Sequence, residues 1–367
     1  MFETPLNFDL QNLTGVIVAL KKPLVTITEV THSVDEIRQL STTLGIKIIN
    51  IFIQQKSIID SAYFIGKGKL EEISQFVNEN KIDVVIFDND LSGIQERNLE
   101  KYLTKKILDR TSIILQIFNK RARSNEAKLQ VELAAMEYMA PRLKHLWTHF
   151  SRSEGIVGIR GGEGEKQLEL DKRIIKLRII SIKEKLKKID VQAKTRRKSR
   201  EESYTVSLVG YTNAGKTSLM NLLSKKNLIA EDMMFSTIDS TIRKVFIDDE
   251  LTILLNDTVG FINKLPHSLV ASFKSTLDEI KNSKLILHVI DSSSDRIVTH
   301  IESVEKVLKE IGVENIPIIK IFNKIDLLPG KITGIGVSTK PEDVLISTIT
   351  KEGIPALKEA IKKFFIA

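Results

Sequence analysis

The eight residues Gly210-Tyr211-Thr212-Asn213-Ala214-Gly215-Lys216-Thr217 constrain this chain more than any other feature. Their spacing is that of a phosphate-binding loop. They follow an apolar, β-branched run, Thr205 to Val209, and precede a helix-forming stretch that starts near Lys216. Strand, glycine-bounded loop and helix in that order commit the C-terminal half to an α/β fold built on a mostly parallel sheet. The glycines let backbone N–H groups turn toward phosphate oxygens, and the helix N-terminus adds partial positive charge. Lys216 can then reach the β- and γ-phosphates, and the Thr217 hydroxyl, followed by Ser218, can ligate Mg2+.

Three further motifs follow in the order a nucleotide switch needs. Asp257-Thr258-Val259-Gly260 ends an apolar strand, which sets a carboxylate beside the Mg2+ position and the Gly260 N–H where a γ-phosphate would sit. Asn323-Lys324-Ile325-Asp326 ends another. The Asp326 carboxylate can accept from both the N1–H and the exocyclic amine of guanine, a donor pair that adenine lacks. Ser347-Thr348-Ile349, after the last strand, is placed to give a backbone N–H to the guanine carbonyl. Phe235-Ser236-Thr237-Ile238-Asp239-Ser240-Thr241 should hold a threonine that meets Mg2+ and the γ-phosphate; Thr237 is preferred and Thr241 competes. Phe261 follows Gly260, where many such switches carry the Gln that orients the attacking water, and an aromatic ring cannot do that. The expected catalytic set is therefore Lys216, Thr237 and Gly260. The expected metal set is Thr217, Thr237 and, through water, Asp257. Two rivals stand against a GTPase. An ATPase or kinase is disfavoured by Asn323, Lys324 and Asp326, and an RNA-binding scaffold with a vestigial pocket by Lys216, Thr217 and Asp257 together.

The 367 residues leave room for more than one core. Ahead of the phosphate loop, Gly15 to Leu20, Ile46 to Ile53, Val84 to Phe87 and Ser112 to Phe118 read as strands, with helices over Ser33 to Leu44, Lys69 to Glu79 and Leu91 to Thr104. This is an N-terminal βαβ-type domain over residues 1–118. Gly66-Lys67-Gly68-Lys69 lacks the full phosphate-loop spacing and reads as a turn rather than a second nucleotide site. Residues 119–202 form a long helical hairpin and linker. One seam runs through Leu129, Met136 and Leu143 with Leu133, Ala140 and Trp147; the other runs through Leu168, Ile175, Ile182 and Ile189 with Ile179, Leu186 and Ala193. Pro141 should bend the first helix. The loop, roughly His149 to Glu163, carries Gly155, Gly158, Gly161, Gly162, Arg152 and Arg160, and Lys194 to Glu202 reads as a linker or frayed helix end. From Pro141 to Arg200 there are 18 Lys or Arg against 7 Asp or Glu, so the hairpin more than accounts for the net charge of +8. Residues 203–367 form the Ras-like P-loop G domain. With no cysteine, and no apolar run near the roughly 18 residues that span a bilayer, a cytoplasmic location is expected.

Residues outside the G domain carry a family resemblance. Tyr63-Phe64-Ile65-Gly66-Lys67-Gly68-Lys69-Leu70-Glu71-Glu72, Gln95-Glu96-Arg97-Asn98-Leu99-Glu100-Lys101, Asp109-Arg110-Thr111, Arg121-Ala122-Arg123, Leu129-Gln130-Val131-Glu132-Leu133-Ala134 and Arg160-Gly161-Gly162-Glu163-Gly164-Glu165 together resemble the HflX family of ribosome-associated, translation-factor-related GTPases. The resemblance covers nearly the whole chain. It implies a GTPase that cycles between GTP and GDP with Mg2+, binds the large ribosomal subunit and its RNA, and splits ribosomes. It also implies slow hydrolysis by the isolated chain and stimulation by ribosomes. Asn213 matches the loop Asn that helps hold K+ in potassium-stimulated relatives, and Arg152, Arg160, Gly161 and Gly162 are the expected RNA contacts. A monomer is expected, with room for peripheral association with a membrane. Ser240 replaces the family's usual Pro, Thr348-Ile349 replaces its usual Ala-Lys, and the extra C-terminal domain of some members is not expected here.

Overall fold

The computed structural model describes residues 9–143, 162–198, 203–224, 234–235, 237–239, 241–264, 269, 274–313, 315–328 and 341–366. The chain divides into two compact units. One comprises Met1–Lys120 and Lys128–Lys187; the other comprises Arg121–Ala127 and Lys188–Ala367.

In the first unit, β1 (Thr14–Lys21), β2 (Lys47–Gln55), β3 (Val84–Phe87) and β4 (Lys106–Asp109) form a parallel sheet in the order β2-β1-β3-β4. The crossovers are α1 (Ile27–Leu44), α2 (Lys67–Glu79) and α3 (Gly93–Leu103). Helix α1 begins earlier than the sequence suggests, because Thr26 and Glu29 form a capping box that fixes its first turn. One face of the sheet packs Val16, Val18, Val85, Phe87 and Ile107 against Ile73, Val77, Leu99 and Leu103. The run Ser112 to Phe118, expected as a strand, lies inside helix α4 (Arg110–Arg121); the fourth strand is the shorter Lys106–Asp109. Ile113, Ile114, Leu115, Ile117 and Phe118 are all buried. A helix apolar on every side shows no periodicity, so a short run of it reads like a buried strand.

Helices α5 (Asn125–Met139) and α6 (Gly162–Lys198) follow. Helix α5 ends at Met139, and Ala140 to Arg142 form a turn around Pro141 before the helical backbone resumes at Leu143, so the proline interrupts the helix. Leu129, Leu133, Met136, Leu143, Ile175 and Ile182 are buried, as the two seams require. Glu132 pairs with Arg178 at 2.6 Å and Glu137 with Lys183 at 2.8 Å. The first pair joins two residues that precede a seam position, and the second joins two that follow one. Like flank meets like flank only when two helices run in opposite directions. The end of α5 is held by Arg142, which stacks on Tyr138 at 3.6 Å and donates to the Leu91 carbonyl at 2.6 Å, to Asp109 at 3.1 Å and to Glu96 at 3.2 Å. Of the two readings of the Lys194–Lys198 stretch, linker or helix end, the second holds: it continues α6.

The second unit holds a six-stranded sheet in the order β10-β9-β8-β5-β7-β6. Its strands are β5 (Tyr204–Gly210), β6 (Thr241–Phe246), β7 (Thr252–Asp257), β8 (Leu285–Asp291), β9 (Ile318–Asn323) and β10 (Val344–Leu345). Among the described strands of this sheet, the β6–β7 pairing is antiparallel and the others are parallel. The sequence reading missed β6, an edge strand with a single buried residue, Val245. Helices α7 (Lys216–Ser224), α8 (Lys274–Lys281), α9 (Ile297–Glu310) and α10 (Ile354–Ile366) complete the unit. Chain order reverses at β5, whose neighbours are β7 and β8, so the loop leaving β5 opens at a topological switch point, where open α/β sheets bind ligands.

Candidate functional site

The loop from β5 to α7 lines a pocket with Thr212, Asn213, Gly215, Lys216, Thr217 and Ser218; Phe235, Thr237, Thr258 and Gly260 close its other sides. Two glycines are dictated by space. A Cβ on Gly210 would lie 2.2 Å from the Val289 carbonyl oxygen, and one on Gly215 would lie 2.2 Å from Asn323 Nδ2, both at positive φ. Lys216 is buried and donates to the carbonyls of Gly210 at 3.0 Å and Tyr211 at 2.8 Å. Burial lowers its pKa to about 8 against the opposing pull of the Asp257 charge. Asp257 is shifted upward by its own burial, with Lys216, Thr217 and Thr237 acting the other way.

Three oxygen-bearing side chains converge beside Lys216. Asp257 Oδ2 accepts from Thr217 at 2.9 Å and from Thr237 at 3.0 Å, and the two hydroxyls are 2.7 Å apart. Asp257 Oδ1 is buried with no hydrogen-bond partner. An all-oxygen cluster with an unsatisfied carboxylate oxygen suits a hard divalent cation that keeps some of its waters, and Mg2+ fits it. Thr241, the competing threonine, begins β6 and turns its hydroxyl to the Asp239 carbonyl at 3.5 Å. Asp239 faces away from the lining residues: its carboxylate accepts from the backbone N–H groups of Arg123 at 2.9 Å and Ser124 at 3.2 Å, and from the Ser124 hydroxyl. Val259, Phe235 and Ile238 are buried. Ser236 and Ser240 lie outside the described residues.

At the other end, Asn323 is fully buried, donates to the Ala214 carbonyl at 2.9 Å and accepts from the Thr348 N–H at 3.1 Å. It thereby ties the base motif to the phosphate loop. Lys324, at φ 66°, pairs with Asp291 at 2.6 Å, and Ile325 and Asp326 open a 3-10 turn that leaves the Asp326 side chain exposed. The Ser347 hydroxyl accepts from the N–H groups of Ile349 at 3.2 Å and Thr350 at 3.0 Å, while Ile349 itself is exposed.

The sequence reading missed a clamp behind the pocket. The Thr212 N–H donates to the Phe261 carbonyl at 2.8 Å and the Phe261 N–H to the Gly210 carbonyl at 3.1 Å. The Tyr211 ring stacks on His300 at 3.9 Å, and its hydroxyl accepts from the Asn263 N–H at 2.7 Å. Nothing in the sequence marked His300, which sits some 90 residues from the loop it touches. Phe261 is buried and is not among the residues that line the pocket. In the first unit, Gly66 caps α2 from an extended conformation and Lys69 pairs with Glu72 at 2.6 Å, a helix start without the wrapped backbone of a phosphate loop. Of the expected RNA contacts, Gly162 begins α6, while Arg152, Arg160 and Gly161 lie outside the described residues.

Family profiles match in three consecutive blocks: "GTP-binding GTPase N-terminal" over 31–119, "GTP-binding GTPase Middle Region" over 121–200 and "50S ribosome-binding GTPase" over 205–324. The GTPase HflX of Caldanaerobacter subterraneus is 44% identical over 347 residues, covering 94% of this chain and 80% of that protein. The GTPase HflX of Escherichia coli is 42% identical over 334 residues, covering 90% and 78%. The chain belongs to the HflX GTPase family. Among solved structures, a GTP-binding protein from Sulfolobus solfataricus in complex with GDP aligns over 96% of this chain and 98% of its own, with 26% identity and a TM-score of 0.51. Membership makes the chain a GTP-binding enzyme that hydrolyses GTP. No helix among the described residues is long and apolar enough to cross a membrane.

Proposed function

We propose that this HflX-family GTPase binds the large ribosomal subunit in its GTP state and separates ribosomal subunits, with hydrolysis to GDP and phosphate resetting it. The observation that carries the reading is the convergence of Lys216, Thr217, Thr237, Asp257 and Gly260 on one pocket, in a chain whose basic excess is concentrated between Pro141 and Arg200. Thr217 and Thr237 would hold Mg2+ directly and Asp257 would hold it through water; when bound, the ion neutralises charge on the β- and γ-phosphates. Lys216 moves from the two loop carbonyls to the phosphates. The Gly260 N–H offers a γ-phosphate contact present with GTP and absent with GDP. Asn213, exposed at φ 64°, is the residue that would hold K+. Because Phe261 cannot orient water, hydrolysis by the isolated chain is slow and ribosome contact completes the site. Helix α6, at 37 residues, extends about 55 Å at 1.5 Å per residue, and its Lys and Arg suit a phosphate backbone.

The test is density-gradient sedimentation of intact ribosomes with the protein and GTP, a non-hydrolysable analogue, or GDP. Co-migration with large subunits and loss of the intact-ribosome peak are expected with GTP and the analogue. Intact ribosomes in all three arms would refute splitting, and absence of the protein from the large-subunit fraction would refute the partner as well.

A further inference from the structure

Thr212 occupies the third position of the phosphate loop, and its hydroxyl has no established task. Its Oγ1 is buried without a hydrogen-bond partner, in a residue 6% exposed that lines the pocket. An unmet buried hydroxyl costs about 1–3 kcal/mol, a penalty relieved when a ligand supplies the partner. Its position says which part of the ligand that is. A Cβ built on Gly260 would lie 2.9 Å from Thr212 Cγ2, 3.0 Å from Thr212 Cα and 3.1 Å from Lys216 Nζ. Thr212 and the lysine ammonium therefore flank the same face of Gly260, the γ-phosphate end of the pocket, away from Asn323 and the base motif.

The surroundings hold the residue still. Its N–H is fixed on the Phe261 carbonyl, and the preceding residue is stacked on His300 and tied to Asn263. Asn263 accepts in turn from the Ser303 hydroxyl at 2.6 Å on α9. The phosphate loop and the segment that follows Gly260 thus form one clamp. A group held this way costs little reorganisation when charge develops beside it.

We propose that the Thr212 hydroxyl is a catalytic residue that donates a hydrogen bond to a γ-phosphoryl oxygen and strengthens it as that group is transferred. The inference rests on the GTPase reading of the pocket. A water oxygen bonds to the γ-phosphorus while the bond to the β–γ bridging oxygen breaks. The electron pair leaves with GDP, the water proton ends on inorganic phosphate, and Thr212 keeps its own proton throughout.

The experiment uses the full chain with Thr212→Val, which keeps the shape and removes the hydroxyl, Thr212→Ser, which keeps the hydroxyl, and Thr212→Ala as a smaller variant should valine disturb the fold. GDP affinity is read with a fluorescent analogue, GTP hydrolysis under single-turnover conditions, and transition-state capture as the GDP–aluminium fluoride complex. Thr212→Val and Thr212→Ala should keep GDP affinity within about threefold, slow hydrolysis by about 10- to 100-fold and weaken fluoride capture in proportion; Thr212→Ser should restore both. Hydrolysis by both variants within twofold of wild type overturns the proposal. So does a loss of GDP affinity as large as the loss of rate, which would make Thr212 a packing residue. If the wild-type chain binds GDP but shows no hydrolysis, the catalytic reading of the pocket fails and the inference with it.

Discussion

At the scale of single residues, the base motif and the buried ion cluster make separate demands. Asp326 is exposed and positioned by the 3-10 turn after β9, so its replacement should leave the fold intact. Asp326→Asn should lower GTP affinity by two orders of magnitude or more and favour xanthine nucleotides, whose carbonyl replaces the guanine amine; competition binding against a fluorescent GDP reads this directly. Arg110 is the opposite case. It is 1% exposed and its guanidinium pairs with Asp88 at 2.8 Å and with Glu36, while Asp88 also accepts from Ser33 at 2.6 Å. Arg110→Met should cost the first unit about 3–5 kcal/mol in chemical denaturation, because two buried carboxylates lose their cation.

Elements are joined by a few polar contacts whose loss can be read separately. Ser124 caps α5, accepting from the Ala127 N–H at 3.0 Å, and the same hydroxyl donates to Asp239, two residues past Thr237. Ser124→Ala should speed GDP release by about threefold to tenfold, since a charge-assisted bond that steadies the segment carrying Thr237 is removed, and stopped-flow fluorescence would measure it. In the first turn of α3, Glu96 meets Arg142 and lies near Asp109. Burial first, then the Asp109 charge, raises its pKa to about 7, with Arg142 opposing. The folded state therefore holds this proton between pH 4.5 and 7 while the unfolded chain releases it. Stability from this group is greatest below pH 4.5 and declines as pH rises through 7. Glu96→Gln should raise stability at pH 8 by on the order of 1–3 kcal/mol and flatten the pH 5 to 7 slope, as read by hydrogen exchange in the first unit.

For the whole molecule, the proposed function assigns nucleotide chemistry and ribosome engagement to different stretches of chain. Shortening Arg152 to Gly162 should leave GDP and GTP affinity within about twofold, because every lining residue of the pocket belongs to the second unit. Subunit separation in the gradient assay should be lost. The paired Arg152→Ala and Arg160→Ala change should weaken large-subunit binding and flatten its decline with salt, because fewer phosphate contacts release fewer counterions. Splitting at the wild-type rate by the shortened chain would move the active surface to the N-terminal sheet.

By itself the sequence determined the chemistry whose residues are neighbours in the chain. The loop from Gly210 to Thr217, Asp257 to Gly260 and Asn323 to Asp326 each act as a continuous backbone segment with a fixed spacing, and the 3.5-residue repeat of the helical seams is equally local. Tertiary structure decided what depends on partners far apart in sequence. The Thr237 hydroxyl, and not that of Thr241, meets the Asp257 carboxylate, because Thr241 is held in β6 as the backbone partner of Asp257 and turns its hydroxyl to the Asp239 carbonyl. The Tyr211–His300 stack, the Asp239–Ser124 contact and the Arg142 tether left no pattern, since a single polar or aromatic residue reads alike on a free surface and in a contact. Ser112 to Phe118 became a helix because packing on all sides removes the polar face from which a helical period is read.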